Sequence, residues 1–167
     1  DRVTLIEAVT DSDWAGDKVS RKSTSGGLIR IGSHVIKSWC SNQNVIALSS
    51  AEAEYYSMVK GSAVGLGAKS MLEDMGVKMR VKLSTDASAA KGIASRRGIG
   101  KLRHLETSQL WLQDKVHIGE IVLKKIKGTS NPADILTKPP TIRMIDELMI
   151  EMNMHFAQGR HELMPAS

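Results

Sequence analysis

The chain has 167 residues, which suits one compact domain and leaves no room for a second large one. Hydrophobic residues at 41% and charged residues at 25% exclude a disordered or fibrous chain, and a formal net charge of +5 favours a polyanionic partner. The single cysteine, Cys40, excludes an internal disulfide and a cysteine-rich zinc site, and no apolar run approaches the roughly 18 residues that would cross a membrane.

In chain order, Asp1-Arg2-Val3 opens without an initiator Met or a signal-peptide pattern, so the chain is expected to be part of something longer. Residues 3–10 are β-branched and aliphatic and are predicted as a strand with Asp11 at its exit. A charged turn over 16–22 leads through Ser23-Thr24-Ser25-Gly26-Gly27 into a hairpin, 28–31 and 34–39, closed by Gly32-Ser33. From Ser49 the period becomes helical, with Tyr55, Met58, Val59, Ser62, Ala63 and Leu66 on one face. Ser49-x-x-Glu52 is a capping box, each side chain satisfying a backbone N–H at the other's position, and the helix is expected to reach about Met75 before Gly76.

Residues 81–85 are predicted as a strand ending at Asp86, followed by a short helix over 87–95, a helix over 102–117 and a strand over 121–126. Asn131-Pro132 opens a further helix, since Pro is favoured in a first turn. An antiparallel meander followed by strands reached through helical crossovers makes a mixed sheet, the later strands parallel. Pro139-Pro140 closes this unit, residues 1–139. In the remainder, 140–167, Ile142, Ile145, Leu148, Met149 and Met152 keep a helical period, read as an appended amphipathic helix packing on its own domain, with a protein-binding helix as the alternative. The nine methionines, beside only 4% aromatics, read as flexible core filling; Trp39 and Trp111 read as core, and Trp14 as a loop anchor or a stacking platform.

Asp11 and Asp86 fall at strand ends, Glu54 in the first turns of the long helix and Asp134 just after the last strand, where functional groups gather in an α/β sheet. Clustered carboxylates repel unless neutralised, and hard divalent cations such as Mg²⁺ match oxygen ligands. Two such ions about 4 Å apart suit phosphodiester hydrolysis. With 18 acids in the chain, spacing alone does not single out these four.

Five blocks, however, resemble the ribonuclease H domain of copia-type retrotransposon polyproteins. They are Thr10-Asp11-Ser12-Asp13-Trp14-Ala15-Gly16, Arg21-Lys22-Ser23-Thr24-Ser25-Gly26, Ser49-Ser50-Ala51-Glu52-Ala53-Glu54-Tyr55, Arg103-His104-Leu105-Glu106 and Asn131-Pro132-Ala133-Asp134-Ile135-Leu136-Thr137-Lys138-Pro139. They occur in the family's order over about residues 5 to 139, a stronger signal than any single motif. The resemblance implies an α/β fold with a five-stranded mixed sheet flanked by helices. It also implies that Asp11, Glu54, Asp86 and Asp134 hold two Mg²⁺ ions, or Mn²⁺, for hydrolysis of the RNA strand of an RNA–DNA hybrid during reverse transcription. Asp13, in the loop after the strand, reads as a carboxylate that orders the loop or supports the metal ligands from behind, and Glu52 reads as part of the cap. The chain departs from the family at Leu110, where relatives often carry a second His, and at Ala87, where they commonly have Asn; neither is a metal ligand.

For substrate contact, the acid-free stretch with Arg96, Arg97, Lys101 and Arg103 suits a phosphate backbone, and His104 reads as a helix-start histidine touching backbone or substrate. Ser12, Ser50 and Ser88 are candidate contacts to 2′-hydroxyls. Expected partners are the hybrid and the reverse transcriptase portion of a parent polyprotein, with no membrane. The expected location is intracellular and reducing, cytoplasmic or nuclear, as in a retrotransposon particle. The competing reading is a domesticated, non-catalytic module inside a larger assembly; an integrase-like nuclease fits the blocks less well.

Overall fold

The structure is a computed structural model and describes residues 5–100, 105 and 109–156. Strands β1 (Leu5–Asp13), β2 (Thr24–Ile31) and β3 (His34–Asn42) form the antiparallel meander, the turn between β2 and β3 being the two residues Gly32 and Ser33. Helix α1 (Ser50–Asp74) then crosses to β4 (Arg80–Thr85), followed by α2 (Ser88–Ser95), α3 (Trp111–His117) and β5 (Ile121–Lys125). The five strands lie in the order β3-β2-β1-β4-β5, with β1 parallel to β4 and β4 parallel to β5. This is the mixed, five-stranded sheet expected. Only Trp111–His117 of the helix expected over 102–117 falls on described residues as helix; most of its first half lies outside them.

Alternation along β1 sends Ile6 and Ala8 to one face, where they pack with Tyr55, Met58, Val81, Leu83 and Ile121 beneath α1. Val9 joins Leu28, Ala133 and Met152 in a second apolar group. Helix α1 comes close enough to the sheet at Gly61 that a Cβ there would overlap the methyl of Thr10. The sequence is therefore helical in spite of an interior glycine, because contact with the sheet outweighs the roughly 1 kcal/mol that Gly costs a helix.

Three local expectations are corrected. β1 does not end before Asp11: its ladder with β2 continues through Asp11↔Gly26, Ser12↔Ser25 and Asp13↔Thr24, whereas its ladder with β4 stops at Val9↔Ser84. The capping box is offset, since Ser49 accepts from Glu52 N but Glu52 Oε2 accepts from Leu48 N, one residue before the cap. The segment opened by Asn131-Pro132 is a short 3-10 helix, Pro132–Leu136, rather than an α-helix.

The last element, α4 (Ile142–Glu151), is capped by Thr141, whose side chain accepts from Met144 N. It packs on its own sheet: Leu148 and Met152 are buried, and Arg30 of β2 donates to Glu151 O. Ile142, counted with the apolar face in the sequence, is 80% exposed in the first turn and takes no part in that packing. Arg30 also pairs with Glu7 of β1 at 2.8 Å, and Lys82 pairs with the same carboxylate at 2.9 Å. Burial opposes ionisation of Glu7, but Ser84, Lys82 and Arg30 outweigh it and hold the carboxyl below its ordinary range. No helix among the described residues is long and apolar enough to cross a membrane.

Candidate metal centre

β1 outruns its parallel neighbour β4 at the C-terminal end of the two strands, and that overhang carries Asp11. Asp86 immediately follows β4, so the two acids leave adjacent parallel strands at the same end. Glu54 comes down from the first turn and a half of α1. One oxygen from each of Asp11, Glu54 and Asp86 lies within 4.8 Å of the others.

Helix α1 does more than deliver Glu54. Ser57, one turn on and on the same side of the helix, is fully buried and donates to the carbonyl of Asp11 at 2.7 Å and to that of Gly26 at 3.3 Å. The backbone N–H of Ser12 in turn donates to Glu54 Oε1 at 3.2 Å. Helix and strand are thus tied to each other on both sides of the acids. Glu52 takes no part: Leu48 N and the Tyr56 hydroxyl occupy its two oxygens. The Asp13 carboxylate lies against Gly16, where a Cβ would stand 2.0 Å from its Oδ2.

The fourth acid is held differently. Asn131, fully buried, donates to Thr10 O at 3.2 Å and accepts from Ala133 N, which anchors the 3-10 helix to β1. The segment packs on Gly26, where a Cβ would stand 2.6 Å from Thr137 Cγ2; no larger residue fits opposite Asp11. Asp134 is not one of the three converging carboxylates. Lys138 joins it to them, its ammonium 2.5 Å from Asp134 Oδ1 and 3.5 Å from Asp11 Oδ2. The Thr137 hydroxyl also donates to Asp11 Oδ2.

Burial beside other carboxylates raises the affinity of Glu54 and Asp11 for protons. Burial, reinforced by the charges of Asp11 and Asp86, pushes the Glu54 carboxyl from 4.5 up to about 8. Burial likewise lifts Asp11 from 3.8 to about 6, against the opposing pull of Thr137 and Lys138 and with a further push from Asp134 and Asp86. Glu54 Oε2 is buried without a hydrogen-bond partner among the described residues. An orphaned oxygen on one of three converging carboxylates is poorly served by protein donors and well served by a hard divalent cation, so the residues fit such an ion.

The residues expected to touch substrate are spread around this end of the strands. Ser12 is buried beside Glu54; Ser50 and Ser88 are exposed at the starts of α1 and α2, and Lys125 donates to Ser88. Arg97 is exposed, whereas Arg96 turns inward and donates to Ile99 O at 2.7 Å. Lys101, Arg103 and His104 lie outside the described residues. Gln113 of α3, unmarked in the sequence reading, holds the loop after α2 by accepting from Gly98 N and donating to Ile93 O and Gly98 O. Trp14 is half exposed, with its indole N–H fixed to Ala47 O, which ties the loop after β1 to the approach to α1. A cleft of about 710 Å³ between the end of β3, α1 and the start of α3 contains none of the four acids.

No family model matches the chain. It is 30% identical over 138 residues to the retrovirus-related Pol polyprotein from transposon RE1 of Arabidopsis thaliana. It is 29% identical over 137 residues to that from transposon TNT 1-94 of Nicotiana tabacum. Each alignment takes in 80% of this chain but only 9% and 10% of the respective polyproteins, so the chain spans about a tenth of these relatives. Among solved structures it is similar to the N-terminal RNase H domain of Rv2228c from Mycobacterium tuberculosis, with a TM-score of 0.54, 17% identity and coverage of 88% of this chain and 97% of that one. It is also similar to LC11-RNase H1 in complex with an RNA/DNA hybrid, with a TM-score of 0.54, 17% identity and coverage of 79% and 93%.

Proposed function

We propose that this chain, which has the ribonuclease H fold and is a relative of one segment of the copia-type retrotransposon Pol polyproteins, hydrolyses the RNA strand of RNA–DNA hybrids. The observation that carries the proposal is the meeting of Asp11, Glu54 and Asp86 within 4.8 Å, with one Glu54 oxygen buried and unsatisfied. Asp11, Glu54, Asp86 and Asp134 would hold two divalent ions, Mg²⁺ or Mn²⁺. Such ions supply activation of the attacking water and stabilisation of the leaving oxygen in an in-line displacement. The protein's own part is positional. Ser57 and Asn131 fix the backbone on either side of Asp11, and Ser12 N–H orients Glu54.

Phosphate contact falls to Arg97 and the basic residues after it, with Arg96 shaping the loop rather than reaching outward. Ser50 and Ser88 are the candidates for sensing 2′-hydroxyls at the rim, whereas the Ser12 hydroxyl is buried and does not face outward. In the parent polyprotein the partner would be the reverse transcriptase portion, and the setting an intracellular retrotransposon particle. A non-catalytic module would be expected to have lost a ligand, yet all four acids are present, and the departures at Ala87 and Leu110 spare them.

The test is incubation of a hybrid labelled on its RNA strand with Mg²⁺ or Mn²⁺. The intact chain is expected to cut the RNA, and Asp86→Asn to reduce cutting by on the order of 10²-fold or more, the scale of losing one electrostatic stabiliser in a site, while leaving the fold intact. Absence of cleavage with either metal would overturn the nuclease reading.

A further inference from the structure

Asp134 and Asp11 already share a cation, and it belongs to the protein. Lys138 Nζ stands between Asp134 Oδ1 and Asp11 Oδ2 at 2.5 and 3.5 Å, and its side chain is half exposed, free to swing away. Its backbone is not free: Lys138 N donates to Asp134 O, so the short helix sets the lysine one turn from the acid it neutralises. Of the three converging acids only Asp11 has a lysine against it among the described residues; Glu54 and Asp86 have none, and Glu54 Oε2 is orphaned. The acids are therefore unequally served: Asp11 and Asp134 hold a cation between them, whereas Glu54 and Asp86 do not.

We propose that Lys138 acts as an exchangeable internal cation, so that the site fills in order, a first divalent ion among Asp11, Glu54 and Asp86 and a second only by displacing the Lys138 ammonium from Asp134 and Asp11. The inference rests on the metal-dependent reading above. Its physical content is competition. Two cations cannot occupy the same pair of carboxylates without repulsion at short range, so whatever binds there does so against the ion pair that Lys138 already makes. Lys138 is thus a positioning residue that sets the order and relative affinity of the ions. In their absence it keeps Asp11 and Asp134 from repelling each other.

Calorimetric titration of the full chain with Mn²⁺, without nucleic acid, tests this in the wild type, Lys138→Met and Lys138→Arg. The wild type is expected to bind one ion more tightly than a second. Lys138→Met should tighten the second step by about tenfold and leave the first within about twofold, while Lys138→Arg, which keeps the charge, should resemble the wild type. Thermal melting without metal should show Lys138→Met less stable than the wild type, so that the gain in metal affinity is not a general stabilisation. An unchanged second step in Lys138→Met, a weaker one, or the same gain in Lys138→Arg overturns the inference. Binding of no ion by the wild type overturns it together with the metal reading. Cleavage of hybrid beside an unaltered Lys138→Met isotherm defeats this inference alone, and the expected isotherms without any cleavage defeat the nuclease reading alone.

Discussion

Glu54 is buried beside Asp11 and Asp86, and that burial governs how the site responds to pH. Its carboxyl is pushed up to about 8 and that of Asp11 to about 6, so without metal the folded protein retains protons that the unfolded chain releases near the ordinary values of 4.5 and 3.8. A raised folded-state value contributes stability that is complete below the unfolded value and is lost as pH rises through the folded one. Metal-free protein is therefore expected to lose stability between about pH 4.5 and 8, and millimolar Mg²⁺ to restore it at the upper end by replacing the protons. Denaturant midpoints of chelator-treated protein across that range check this, with Glu54→Gln as reference because its side chain cannot ionise. Equal slopes in wild type and Glu54→Gln would contradict it. Glu54, not Glu52, lies with Asp11 and Asp86, and hydrogen bonds rather than periodicity distinguish the two. Both lie in the first turns of α1, and only the contacts of Leu48 N and the Tyr56 hydroxyl show that Glu52 is already spoken for.

Helix α1 carries the site because it can lie close on the sheet. Gly61 allows that approach, and the overlap of any Cβ with the buried Thr10 methyl makes Gly61→Ala a sensitive probe. Overpacking of this kind costs about 1–3 kcal/mol, more than the roughly 1 kcal/mol that alanine returns in helix propensity. Gly61→Ala is expected to lower stability and hybrid cleavage together, since a lifted α1 draws Glu54 and Ser57 away from Asp11. Gly67→Ala, at an exposed position of the same helix with nothing within 4 Å, is expected to add about 0.5–1 kcal/mol. Denaturant unfolding of both variants decides this, and a Gly61→Ala protein as stable as the Gly67→Ala one would contradict the close approach. The elements themselves were largely legible, because apolar alternation and helical period mark β1 to β5 and α1 directly. Their ends were less so. The extension of β1 through Asp13 depends on pairing with residues 24–26, and the 3-10 geometry after Asn131 depends on that amide reaching Thr10 O; no local pattern records either contact.

Across the whole molecule, residues from four distant stretches meet at one end of the strands of a sheet whose central strand is parallel to one neighbour and antiparallel to the other. The three converging acids were named from the resemblance and from their positions at element ends. The roles of Ser57, Asn131, Gln113 and Lys138 were not, because each acts through a partner 46, 121, 20 or 127 positions away. The relation to retrotransposon polyproteins and the ribonuclease H fold gives these contacts a setting, but the proposed chemistry depends on a cation being held where the acids meet. Crystals grown with Mn²⁺ and measured for its anomalous scattering place that ion directly. A Mn²⁺ peak within about 2.6 Å of oxygens from Asp11, Glu54 and Asp86 is the expected result, and carboxylates standing apart with no ion between them would contradict the account.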